Sequence, residues 1–246
     1  MILEETLDHL AGDWRILQLR HGHRFSADDT LTAWTAARAR PDAAAVLDLG
    51  SGIGSVGLLT LWRLGSGARL VGVEVQAVSV ALARRTAERN GLADRVEFLH
   101  GDLREARLER RFDLITGSPP YIPPSRGVQS PHPQRAACRI ELHGDVFDYC
   151  AAAARHLAAD GRFCFCHAAS DPRPEKAITA AGLTLLRRQD VLFRADQPPL
   201  ISLFTCGWDG GFEDAPMFAV RDADGRWTEA YLEMRREMGT VVWNKA

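Results

Sequence analysis

Three carboxylates sit where short apolar runs end: Asp48 in VLDLGSGIGSVGLL, Glu74 in RLVGVEV and Asp102 in VEFLHGD. An apolar strand seldom carries a carboxylate without a partner, so each is placed to accept hydrogen bonds from a ligand or to cap a helix. Gly50, Gly52, Gly54 and Gly57 follow Asp48 and let the backbone approach a ligand closely. Gly52-Ile-Gly54-Ser-Val-Gly57 matches the dinucleotide-binding spacing, with Glu74 far enough on to bind a ribose. Downstream, LITGSPPYIPP (Leu114 to Pro124) ends a strand with consecutive prolines, whose fixed φ and missing donors aim Ser118 and Tyr121.

The elements that must position these residues follow from periodicity. From Ala44 onward, β-like runs alternate with helix-like ones, the pattern of a parallel sheet with crossover helices. Strands are expected at 45–49, 69–75, 96–101, 112–117, 161–167, 184–193 and 200–206, with helices at 76–90 and 145–157. Asn90-Gly91 is the C-cap of the first helix. The last two strands are joined by RADQPP, too short for a helix, so they should pair antiparallel at one edge. Ahead of the sheet, SADDTLTAWTAARAR predicts a helix with Ser26 as N-cap and Asp28 and Asp29 in its first turn. A turn at Asp224-Gly225 and a short helix should follow the sheet. The expected organisation is a cap segment and helix over 1–43, a core over 44–210 and a C-terminal extension over 211–246.

The net charge of −2 gives no global basic surface, so a nucleic-acid partner would have to be met by local clusters. Two exist: Arg15, Arg20, His21, His23 and Arg24, and then Arg126, His132, Arg135 and Arg139. The histidines receive no role. No apolar run reaches membrane-spanning length and the N-terminus MILEETLDHL is acidic where a secretory signal is basic, so a cytoplasmic protein without a membrane partner is expected. The five cysteines lack CxxC spacing and a nearby histidine pair, so neither a metal site nor a disulfide framework is expected. Cys164 and Cys166, in GRFCFCH, read as small buried side chains.

Three features favour S-adenosylmethionine over a nicotinamide cofactor. Asp48 precedes the first glycine, where it can help hold an ammonium group; Asp102 ends the third strand, where it can accept from an adenine; GSPPY ends the fourth. The chain thus resembles a class I methyltransferase. That resemblance implies an α/β, Rossmann-like fold with a mostly parallel seven-stranded sheet, an antiparallel last strand and helices on both faces. The SPPY motif resembles the (N/D/S)PP(Y/F/W) motif of amino-group methyltransferases. This implies catalytic roles for Ser118, Pro119, Pro120 and Tyr121 and no need for a strong base, because the proton can leave after transfer.

Among such enzymes the chain most resembles the bacterial tRNA1(Val) adenine-37 N6-methyltransferase family. Leu19 to Trp34 resembles its G-(Y/H)-(R/K)-F-(S/G)-x-D segment, Arg135 to Tyr149 its R-x-x-A-R-x-E segment with Arg139 and Glu141 on the arginine and acid, and 216–234 its C-terminal end. The likeness implies S-adenosylmethionine at Phe25, Asp28, Asp48, Gly50, Gly52, Gly54, Glu74, Asp102 and Ser118. It also implies tRNA or another structured RNA as partner, met by Arg24, Arg135 and Arg139. Ser118 departs from the family's usual asparagine. Another nucleic acid, a protein glutamine or a small molecule therefore stands as an alternative acceptor, and a non-catalytic RNA-binding module as an alternative class.

Overall fold

The computed structural model describes residues 4–123, 125 and 132–240. Its elements are β1 (Glu5–Ala11), β2 (Trp14–Leu19), α1 (Ala27–Ala39), β3 (Ala45–Leu49), α2 (Ser55–Leu64), β4 (Arg69–Glu74), α3 (Ala77–Arg89), β5 (Val96–His100) and β6 (Phe112–Gly117). They continue with α4 (Pro133–Arg139), α5 (Val146–His156), β7 (Leu157–Ala168), α6 (Arg173–Ala180), β8 (Thr184–Leu192) and β9 (Ile201–Gly207), then β10 (Glu213–Asp214), β11 (Phe218–Ala219) and α7 (Glu229–Glu237).

The large sheet runs β10-β8-β9-β7-β6-β3-β4-β5, with β11 also paired to β8. β9 is antiparallel to both neighbours, and β3 to β7 are mutually parallel along the sheet. The expected seven strands and the reversed last one are all present. Two two-residue strands beyond them, β10 and β11, cover β8, whose open edge would otherwise offer unpaired backbone.

Strand alternation sorts the core into two layers. Val46, Leu114, Cys164 and Cys166 face α1, α2 and α3, whereas Leu47, Ile115, Phe163, Phe165 and Phe204 face α5 and α6. In GRFCFCH the phenylalanines stack on the α5 side, with Phe163–Phe165 and Phe165–Phe204 centroids each 4.9 Å apart. Its small thiols lie buried on the α1 side, as expected for free cysteines of this kind.

The stretch ahead of α1, expected only as a cap segment, forms the hairpin β1–β2. Ala11 pairs with Trp14, so the turn is Gly12-Asp13, with Gly12 at φ +52 as a tight hairpin turn requires. The hairpin docks on α3, where the Leu17 N–H donates to Thr86 Oγ1 (3.1 Å) and the Arg15 N–H to Asn90 Oδ1 (2.8 Å).

β3 is where strand order reverses, with β4 and β5 to one side and β6 and β7 to the other. Open α/β sheets bind ligands beyond the carboxyl ends of their strands at that point. Leu49 pairs with Gly117, so the glycine loop and the SPPY segment leave the sheet side by side.

Candidate active site

A cleft of about 1050 Å³ opens over those strand ends. The glycine loop, the ends of β4, β5 and β6, the segment before α1 and helix α4 all contribute to its wall. It brings together Arg24, Asp28, Asp48, Gly50, Gly52, Glu74, Asp102, Ser118, Pro119, Pro120, Tyr121, Arg135 and Arg139. Phe25 and Gly54 do not line it. Phe25 packs against the core with its N–H donating to Gln18 Oε1, and Gly54, at φ +87, caps α2.

Local chemistry explains the loop. Gly50 has φ +61, and a Cβ there would lie 1.9 Å from the Tyr149 hydroxyl. Gly52, at φ +54, donates its N–H to Glu74 Oε2 (2.9 Å), while Glu74 Oε1 accepts from the Gln76 N–H (2.8 Å). Glu74 is buried, and burial raises its pKa against the pull of these two donors. Each of its oxygens has one backbone donor, which leaves further lone pairs for a ligand.

Asp48 is turned inward. Its carboxylate accepts from Thr116 Oγ1 (2.7 Å) and the Gly57 N–H (3.0 Å), tying β3 to β6 and to the first turn of α2. Burial pushes its pKa up to about 7 despite these donors. The native state therefore binds a proton there that the unfolded chain has released, and stability contributed by Asp48 is lost as pH rises from about 4 toward 7. Asp48→Asn, whose amide can satisfy both partners, is expected to flatten this part of the stability curve. Urea unfolding at pH 5 and pH 7.5 checks it, and an unchanged slope would contradict the assignment.

At the far wall, Asp102 is bound by Arg104, which holds its carboxyl below the ordinary value, and it accepts the Arg104 N–H (2.9 Å). Its cap-like role therefore coexists with its place on the cleft. At the SPPY end, Ser118 Oγ lies 3.4 Å from Cys166 Sγ. The Tyr121 ring stands edge-on to His167, with centroids 5.8 Å apart. The segment is held from behind: Ile122 and Ile140 form a bridge, and Glu141 receives a two-pronged contact from Arg173, which also binds Asp171. Glu141 thus pairs with Arg173 rather than with its motif companion Arg139.

The basic clusters separate. Arg20 pairs with Glu4, and Arg24 donates to Thr6 and Asp8, so both are engaged by the hairpin. Arg135 and Arg139 are exposed on α4 and have no carboxylate partner among the described residues. Arg126 and most of the proline-rich loop lie outside the described residues.

One wall residue, Gln134, carries no sequence signal. Gln134, buried, accepts from the His23 N–H (3.1 Å) and donates to Ser79 Oγ (3.1 Å), joining α4 to the segment before α1 and to α3. A Cβ on Gly22 would lie 2.1 Å from Gln134 Oε1, which accounts for the glycine that opens the motif before Phe25. Asp29 closes the capping box at Ser26 and accepts from Ser55 Oγ (3.0 Å). Gln134→Ala should cost about 1–3 kcal/mol in thermal unfolding, because it strands a buried N–H and a hydroxyl. Loss below about 0.5 kcal/mol, the range of a surface change, would contradict the linking role.

This sheet order, with a glycine loop, a ribose-distance acid and SPPY around one switch-point cleft, is the architecture of a class I methyltransferase. Residues 31–130 match the family model of the methyltransferase small domain. The chain is 23% identical to the tRNA1(Val) (adenine(37)-N6)-methyltransferase of Actinobacillus pleuropneumoniae, over 78% of this chain and 80% of that protein. It is 47% identical to the release factor glutamine methyltransferase of Geobacter sulfurreducens over 88 residues, which is 36% of this chain and only 30% of that protein. A predicted O-methyltransferase of Agrobacterium tumefaciens superposes with a TM-score of 0.62 at 18% identity, over 88% of this chain and 99% of that one, a likeness of fold. No helix among the described residues is long and apolar enough to cross a membrane.

Proposed function

We propose that this chain methylates an exocyclic amino nitrogen, with N6 of an adenine in tRNA as the acceptor and S-adenosylmethionine as the donor. The observation that carries the reading is the juxtaposition of SPPY and the glycine loop on paired strands facing one cleft. The residues fit the donor. Gly52, at φ +54 with nothing within 4 Å of where a Cβ would stand, leaves open space on the cleft wall, Glu74 has acceptor capacity for ribose hydroxyls, and Asp102 lies within the same wall. When bound, S-adenosylmethionine supplies an electrophilic methyl group on a sulfonium.

The protein's part is positioning. Ser118 Oγ and the Pro119 carbonyl take the amine's N–H groups, so the nitrogen lone pair leaves the ring plane. Tyr121, backed by His167, stacks on the base. Such alignment removes much of the entropic barrier to a displacement. Arg135 and Arg139, at the mouth and without acid partners, suit the phosphates of an RNA strand. The similarity over 78% of the chain to a tRNA N6-adenine enzyme supports this acceptor. A glutamine amide is the second reading, favoured by the 47% identity of the shorter match.

The deciding test offers radiolabelled S-adenosylmethionine with separate pools of unmodified tRNA, rRNA, DNA, protein and small metabolites. Label in tRNA that digests to N6-methyladenosine is expected. Label only in protein as N5-methylglutamine favours the second reading, and label only in metabolites overturns both.

A further inference from the structure

We propose that Arg173, on α6 and outside the cleft, is a positioning residue for the acceptor: it holds the Tyr121 ring in the place where the methylated base stacks. The inference rests on the amine-methylating function above and gives that site a support that no motif marks.

The contacts leave Tyr121 and return to it in a closed circuit. The Tyr121 ring meets His167 of β7 edge-on, with centroids 5.8 Å apart and planes inclined at 65°. His167 is fully buried, and its Nδ1 lies 3.8 Å from Asp171 Oδ2. Arg173 Nη2 donates to that same Asp171 oxygen (2.7 Å) and to Glu141 Oε1 (2.6 Å), while Nη1 donates to Glu141 Oε2 (3.1 Å). The Glu141 N–H in turn donates to the Ile122 carbonyl (3.1 Å), and the Ile122 N–H to the Arg139 carbonyl (3.2 Å). Ile122 follows Tyr121 in the chain, which closes the circuit. Tyr121 is thus braced twice, through its ring by β7 and through its backbone by the bridge between Ile122 and Ile140. Arg173 joins the two braces.

His167, Asp171, Arg173 and Glu141 do not line the cleft, so this circuit reaches the acceptor only through Tyr121. The Glu141, Asp171 and Arg173 side chains are 7%, 15% and 26% exposed. Ion pairs so far out of water gain little net stability, because desolvation offsets their attraction; what they impose is geometry. A planar guanidinium suits that task, since its rigid fork engages two carboxylates from different parts of the chain at fixed angles. Burial holds the His167 pKa below its ordinary value, so His167 packs on Tyr121 as a neutral ring. A base stacked on a ring displaced by about 1 Å carries its amine off the line of attack, and such a shift costs about 10²-fold in rate.

The experiment follows single-turnover methylation of unmodified tRNA, at varied tRNA concentration, by wild type, Arg173→Ala, Arg173→Lys and Glu141→Gln, each also in the Tyr121→Ala background. Calorimetric titration of S-adenosylmethionine and thermal unfolding accompany every variant. Arg173→Ala should lower the rate at limiting tRNA by about 10²-fold while S-adenosylmethionine affinity stays close to wild type. Arg173→Lys keeps the charge without the fork and should recover part of the loss. In the Tyr121→Ala background each substitution should cost less than about a further twofold, because the ring it braces is gone. Should Arg173→Ala fail to fold, Arg173→Lys and Glu141→Gln carry the same cycle. Wild-type kinetics in the Arg173 variants would overturn the proposal. So would a loss equally large with and without Tyr121, or a fall in S-adenosylmethionine affinity that matches the fall in rate. A wild-type protein that labels no tRNA sinks the functional reading and this inference with it, whereas labelled tRNA indifferent to Arg173 sinks this inference alone.

Discussion

Glu74→Ala is expected to abolish S-adenosylmethionine binding, read as loss of the ligand-induced rise in melting temperature and of heat in calorimetric titration. Two losses combine. The carboxylate no longer meets the ribose hydroxyls, and hydrogen bonds to a charged group contribute about 1.5–3 kcal/mol each, so affinity should fall by about 10²-fold or more. In addition, the N–H groups of Gly52 and Gln76 lose their acceptor, and the glycine loop loses the tie that holds it against β4. Glu74→Gln keeps one oxygen but turns an amide donor toward one of those N–H groups, so it should fall between wild type and alanine. NADH should give no shift with any of the three proteins. Wild-type affinity in Glu74→Ala, or a shift with NADH, would remove the basis for the cofactor assignment.

Ser118→Ala and Tyr121→Ala should do the opposite: turnover falls while S-adenosylmethionine affinity stays near normal. Ser118 lies at the end of β6 with its oxygen beside Cys166, so its loss removes an acceptor for the amine without disturbing Glu74 or the glycine loop. Misplacing the nitrogen should cost about 10²-fold in kcat. Tyr121 offers a stacking face fixed by His167, and stacking on a base is worth about 1–3 kcal/mol, so its alanine variant should also raise KM for the acceptor. Ser118→Asn restores the family's usual residue and should retain activity if the amine reading holds. Steady-state kinetics at saturating S-adenosylmethionine separates these cases; preserved kcat in Ser118→Ala with weakened cofactor binding would reverse the assigned roles.

Hairpin β1–β2 shows where local reading stopped. Its Gly12-Asp13 turn sits between alternating apolar residues, a signal present in the sequence but weak because two strands bury little until they dock on α3. Gln134 shows a different limit. Nothing about a glutamine in a basic helix announces that it bonds His23 and Ser79, residues 111 and 55 positions away in the chain.

By itself the sequence determined the strands from β3 to β9, the capped helices α1 and α3, and the reversed last strand. These follow from period-two and helical patterning, from turn chemistry and from connection length, all of which are local. Only the tertiary structure decided how each carboxylate is used. Asp48 turns inward to Thr116 and Gly57, Asp102 is shared with Arg104, Glu141 goes to Arg173 rather than Arg139, and Arg24 is drawn to Asp8. The physical reason is that hydrogen bonding and charge pairing are settled by distance in space, and most of these partners come from elements far apart in the chain.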